Sequence, residues 1–138
     1  MADTFDLEIA TPERLVMREA VTEAQIPAEN GFIGVLPGHA PLLSKLTSGY
    51  MSYTTADGRK AHMALHGGFV EVLPDKVRVL ADKVEKAGEI DIKRAEAALQ
   101  RAQERLSNPH VELDVARALS AMMRAQSRIE AASKAGKA

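Results

Sequence analysis

Residues 90–95 read IDIKRA, and the period of the sequence changes across them. Before them, apolar residues alternate in twos. Val70 and Val72 are interleaved with Phe69 and Glu71, and Val77 and Val79 with Lys76 and Arg78. That period describes a strand with one buried and one wet face. After them, apolar residues recur at helical spacing: Ala95, Ala98, Leu99, Ala102 and Leu106 form one stripe. Residues 91–106 are rich in Ala, Gln, Glu, Arg and Leu, which are good helix formers. IDIKRA is therefore a junction. A β-rich half, 1–86, should precede a helical half, 87–138.

Upstream, Asn30-Gly31, Asp57-Gly58 and Pro74-Asp75 are strong turn signals. Between them lie short β-rich segments at 5–10, 15–19, 22–26, 50–55, 61–65, 69–73 and 77–81. Many short strands at close spacing predict a β-sandwich or flattened barrel. The stretch GVLPGHAPLL (34–43), with two Gly and two Pro, reads as a rigid, bent loop rather than a strand. Downstream, Ser107-Asn108-Pro109 breaks the first helix. A second helix is expected over about 111–133, with Val115, Leu119, Met122 and Ile129 as its stripe. So short a break predicts an antiparallel hairpin. Both stripes are narrow and rich in Ala, so the hairpin should bury little apolar area, be held weakly and be able to leave the β domain.

Composition removes several function classes. The 138 residues are 46% hydrophobic and 27% charged with a net charge of -1, so no global basic field for nucleic acid exists. The chain has no Cys, which excludes disulfides, thiolate metal sites and cysteine nucleophiles. The opening MADTFDLEIATPERL carries acids early and does not read as a signal peptide. No run approaches roughly 20 apolar residues, so no membrane-spanning helix is expected.

The histidines offer little chemistry. His62 and His66 share one face of a strand but stand roughly 13 Å apart along it, too far for one metal. His39 has no nucleophile or acid partner recognisable from spacing, and an enzyme built on it has no support. Loop residues Gly38, His39, Ala40, Pro41 and Leu42 are candidates for a contact surface instead. The arginines carry more. At 100° per residue, Arg94, Arg101 and Arg105 fall within about 40° on the first helix, and Arg117, Arg124 and Arg128 do so on the second. An antiparallel hairpin brings Arg94 and Arg101 towards Arg128 and Arg124. Such faces are either solvated separately or gathered around an anion. In IDIKRA, Asp91 is a good N-cap, yet Lys93 and Arg94 oppose the helix dipole at up to about 1 kcal/mol each.

GVLPGHAPLL (34–43), GGFVEVLPDKVRVLAD (67–82) and the Ala-rich helical pair together resemble the epsilon subunit of bacterial F-type ATP synthase over essentially the whole chain. The resemblance implies a β-sandwich of about ten strands followed by a two-helix hairpin. It implies a non-catalytic rotor subunit whose β domain docks on the gamma subunit and the ring of c subunits. The helices would fold back or extend into the alpha/beta catalytic hexamer, where Arg105, Arg117, Arg124 and Arg128 would meet an acidic segment and inhibit ATP hydrolysis. It places the chain peripherally, at the cytoplasmic face of the bacterial plasma membrane, attached only through the complex. Some members bind ATP through an Ile/Leu-Asp-x-x-Arg-Ala motif. Here that is Ile90, Asp91, Arg94 and Ala95, with Glu85, Arg101, Arg124 and Arg128 as the accompanying residues. ATP would be a regulatory ligand; no cofactor is required and no metal is implied. The alternative function is a stand-alone ATP-sensing protein.

Overall fold

The computed structural model describes residues 3–108 and 114–136. In order, its elements are β1 (Phe5–Ala10), β2 (Leu15–Ala28), β3 (Gly31–Val35), β4 (Leu42–Lys45), β5 (Gly49–Thr55), β6 (Lys60–Val72) and β7 (Lys76–Lys86). A single 3-10 turn (Ala87–Glu89), α1 (Ile92–Ser107) and α2 (Val115–Lys134) follow. The three turn signals each join neighbouring strands: β2 to β3, β5 to β6 and β6 to β7.

Among the described residues, seven strands stand where the resemblance implies about ten. Segments 15–19 and 22–26 run on as β2, and 61–65 and 69–73 as β6. The stretch 34–43 also differs from expectation. Its ends belong to β3 and β4, leaving only the middle as loop. Both strands are short and flank the sheet, β3 on β2 and β4 on β6. Flanking strands tolerate the Gly and Pro that disguised them. Of the break after α1, Pro109 lies outside the described residues, as do positions 111–113 of the second helix.

Strand pairing closes on itself. β1 pairs with β2 and, in parallel, with β7; β7 pairs with β6, β6 with β5, and β5 with β2. The long strands serve different partners with their two halves, which flattens the barrel into two layers. The N-terminal half of β2 pairs with β1 and its C-terminal end with β3. In β6 the change comes at Gly67 and Gly68, with φ of +73° and +111°. A Cβ on Gly68 would stand 2.1 Å from the Leu80 carbonyl oxygen, so no other residue fits without moving β7. Leu7, Ile9, Val21, Ile26, Met51, Met63, Leu65, Val70, Val72, Val77 and Val79 fill the space between the layers and are all buried.

The hairpin packs differently. α2 lies on β5 and β6, and α1 packs chiefly on α2. Besides Ser127 and Ala131 of α2, the buried positions are Ala95 and Ala102 on α1 and Ala118, Ala125 and Ala132 on α2, each set repeating every seventh residue. Alanine at every such position lets two helices approach closely. That corrects the expected α2 stripe: Val115 and Leu119 are 51% and 42% exposed, and Met122 and Ile129 are half-buried. A small second core anchors the end of α2, where Ala131 and Ala132 meet Tyr50, Ala64 and Ile90.

Candidate functional site

The end of β7, the 3-10 turn and the start of α1 form three sides of a cleft, and the end of α2 forms the fourth. Asp91 positions α1: its carboxylate accepts the Arg94 backbone N–H at 3.1 Å, capping the helix. Arg94 then lies in the first turn and Arg101 two turns further. Because Arg128, near the end of α2, shares this cleft with them, the two helices run antiparallel. The cleft has a volume of about 280 Å³ and is lined by Lys83, Glu85, Glu89, Asp91, Arg94, Ala95, Ala98, Arg101 and Arg128.

Of the eight residues expected at a nucleotide site, six meet here: Glu85, Asp91, Arg94, Ala95, Arg101 and Arg128. Ile90 does not line it. It is 2% exposed and packs beneath, against Tyr50 and the end of α2. Arg124 is also displaced from the expected group. It lines a separate hollow with His66, Gly67, Ser120 and Met123. Arg124 and Arg128 sit four residues apart, about 40° around the helix. That is enough for them to line different hollows.

The Arg128 guanidinium and the His66 ring meet on one carboxylate. Glu85 Oε1 accepts from Arg128 Nε at 2.6 Å and from His66 Nε2 at 2.8 Å. Burial works to raise the pKa of Glu85, but the hydrogen bonds from Arg128 and His66 outweigh it and hold the carboxyl below its ordinary range. Burial lowers the pKa of His66, beyond what the hydrogen bond to Glu85 restores. The contact at 2.8 Å is therefore, at neutral pH, a neutral imidazole N–H donating to a carboxylate, not an ion pair. Arg94 and Arg101 make no ion pair among the described residues. Asp91 is committed to its helix cap, and Glu89 accepts from the Lys86 backbone N–H at 3.4 Å. Lys83, Arg94, Arg101 and Arg128 thus line the cleft against three carboxylates, Glu85, Glu89 and Asp91, which leaves a formal excess of positive charge.

Lys83, Glu89 and His66 were not anticipated at the site. Lys83 was open to discovery, because it precedes Glu85 by two residues on one strand and so shares its face. His66 was not, since its place opposite Lys83 depends on the register of β6 against β7.

The basic residues expected to act outside the hairpin are divided. Arg105 and Arg117 are exposed, whereas Arg128 is held by Glu85 and Arg124 is half-buried. The candidate contact loop lies near the opposite end of β7 from the cleft. Gly38, at φ +81°, donates its N–H to the Pro74 carbonyl at 3.0 Å, which pins the loop to the β6–β7 turn. His39 Nδ1 lies 2.8 Å from the Ala40 carbonyl oxygen. Ala40 and Pro41 are exposed, and Leu42 opens β4. Leu36 and Leu43, on either side, are 63% and 71% exposed, so this end of the molecule presents an apolar rim.

Comparison with known proteins follows the same division of the chain. The family profile described as ATP synthase, Delta/Epsilon chain, beta-sandwich domain matches residues 4–87. The one described as ATP synthase, Delta/Epsilon chain, long alpha-helix domain matches residues 89–134. The chain is 59% identical over 109 residues to the ATP synthase epsilon chain of Solibacter usitatus, covering 79% of this chain and 81% of that one. It is 49% identical over 107 residues to that of Carboxydothermus hydrogenoformans, covering 78% and 79%. In fold it matches a chain in the Euglena gracilis mitochondrial ATP synthase OSCP/F1/c-ring assembly, with a TM-score of 0.84 at 22% identity, over 96% of this chain and 82% of that one. The chain belongs to the ATP synthase delta/epsilon family, whose epsilon members are non-catalytic components of that enzyme.

Proposed function

We propose that this chain is a rotor subunit of the central stalk, coupling the gamma subunit to the ring of c subunits, and that its hairpin restrains ATP hydrolysis. The β domain docks through the rim around Gly38, His39, Ala40, Pro41 and Leu42. The helices either lie on β5 and β6 or extend into the alpha/beta hexamer, where Arg105, Arg117, Arg124 and Arg128 meet acidic residues. ATP bound to the folded hairpin holds it folded. The subunit sits peripherally at the cytoplasmic face of the plasma membrane, and no helix among the described residues is long and apolar enough to cross it.

The observation that carries the nucleotide part is the cleft, where two helices and a strand converge Lys83, Arg94, Arg101 and Arg128. A triphosphate there offsets the repulsion among these cations. It touches β7, α1 and α2 at once, so it binds the folded arrangement better than the extended one, and that difference shifts the population. The observation behind release is the alanine seam, whose burial per residue is small.

Adding the chain to an F-type catalytic complex lacking its epsilon subunit should suppress ATP hydrolysis, and a chain ending at residue 90 should bind without suppressing. Unchanged hydrolysis with the full chain would remove the regulatory reading. Calorimetry with ATP should give saturable heat that an Arg94→Ala, Arg101→Ala variant loses; equal binding by that variant would remove the nucleotide reading.

A further inference from the structure

Three elements meet on one oxygen atom. Glu85 Oε1, on β7, accepts from His66 of β6 and from Arg128 of α2. Among the described residues, the Arg128 contact is the one ion pair that ties the hairpin to the β domain. Beside it, Ala131 and Ala132 of α2 pack on Tyr50, Ala64 and Ile90. His66 is 7% exposed, and its Nδ1 is buried without a hydrogen-bond partner.

We propose that His66 is a proton-operated release for the hairpin. When the ring takes up a proton from solvent at Nδ1, Glu85 becomes the counter-ion of the imidazolium, Arg128 loses its partner, and α2 leaves β5 and β6.

The surroundings set the direction. Lys83 stands opposite His66 on β7, beside Glu85, and Asp82 approaches the backbone at Gly67. From α2, Arg128 reaches Glu85, and Arg124 lines the same hollow as His66. An imidazolium would add a charge where Lys83, Arg124 and Arg128 already face few carboxylates. It would also place an N–H at Nδ1 where the docked hairpin offers no acceptor, a costly arrangement in a buried site. Once α2 lifts away, water reaches Nδ1 and both costs vanish. The proton therefore binds the undocked state more tightly, and linkage requires that acid favour undocking. Burial already depresses the affinity of the docked ring for its proton from the ordinary 6.5. Above that pH the ring is neutral in both states and docking is unaffected. As pH falls below it, the undocked ring charges first and docking weakens. The mechanism needs no nucleotide, so it stands or falls apart from ATP binding.

The chain contains no Cys, so a fluorescent donor and acceptor can be placed on Ser133→Cys and Asp75→Cys in the whole 138-residue chain without nucleotide. Between about pH 7.5 and about pH 5.5, the low-transfer, undocked fraction should rise several-fold, limited to about tenfold per pH unit for one linked proton. His66→Gln keeps a neutral donor for Glu85 and should remove most of the rise. The control is His62→Gln. His62 also lies near α2, through Lys134, but hydrogen-bonds the Tyr50 hydroxyl rather than the latch, and this variant should keep the rise. A wild-type rise retained in His66→Gln, or no rise in the wild type, overturns the proposal. In the wild type the ring resonances of His66 must titrate with the same midpoint as the energy transfer; a separate midpoint overturns it as well.

Discussion

Glu85 shows why a single carboxylate decides the docking of two helices. Its side chain is 21% exposed and that of its partner Arg128 is 23% exposed, so solvent screens their contact only in part. Glu85→Gln keeps the shape but removes the charge, leaving Arg128 near Lys83 and Arg94. The expected cost is about 1–3 kcal/mol of hairpin docking, read as a lower denaturant midpoint for loss of helical signal. Because the folded-state pKa of Glu85 is depressed, its own titration leaves the contribution intact above its ordinary value of 4.5 and removes it as pH falls through the lowered one. The difference between wild type and Glu85→Gln should therefore shrink in acid; a difference independent of pH would mean that charge is not the cause. At this scale the sequence was partly legible. Angular spacing brought Arg94, Arg101 and Arg128 together correctly, since α-helical geometry fixes direction from residue number alone. It misplaced Arg124, because the rest of the group depends on where a strand lies beneath α2. His66 was invisible for the same reason.

The two helices open alike. Asp91 caps α1 by accepting the Arg94 N–H at 3.1 Å, and Asp114 caps α2 by accepting the Arg117 N–H at 3.0 Å. Neither first turn contains an acid. An arginine in the first turn is therefore no mark of the cleft, since Arg117 is exposed and lies outside it. Convergence of elements, not the unfavourable dipole at Arg94, distinguishes the α1 end. The α1 stripe was legible because its alanines and leucines follow one period. The α2 stripe was not, because Ala118, Ala125 and Ala132 are the positions that close approach demands, while larger apolar residues beside them fall at the edge. Ala125 is fully buried. Ala125→Leu should overpack the seam by about 1–3 kcal/mol and separate the helices. The β domain should keep its resonances while helical circular dichroism melts earlier. A uniform loss of both would show that the seam and the barrel are one unit.

At the scale of the whole molecule, two cores of unequal size lie side by side. The larger fills the flattened barrel with branched and sulfur-containing side chains, and the smaller joins Ile90 and Tyr50 to two alanines of α2. The barrel was legible as a class from period-two alternation and turn residues. Its closure was not, since the parallel pairing of β1 with β7 joins segments distant in sequence. Unequal cores predict unequal stability: helical signal should be lost at lower temperature than the barrel. The tyrosines report the two stages separately. Tyr50 stacks on His62 under the end of α2, and Tyr53 belongs to the barrel core. With no Trp present, variants retaining a single tyrosine can be followed by fluorescence. Tyr50 should change with the helices and Tyr53 with the later step. A ligand that binds only the folded hairpin stabilises only the step that destroys its site, by about 2.7 kcal/mol at a hundredfold excess over its dissociation constant. ATP should therefore raise the first transition and, until it reaches the second, leave that one in place. If both transitions rise together from the start, hairpin and barrel unfold as one. If neither moves at saturating ATP, the cleft does not hold the nucleotide in the folded form.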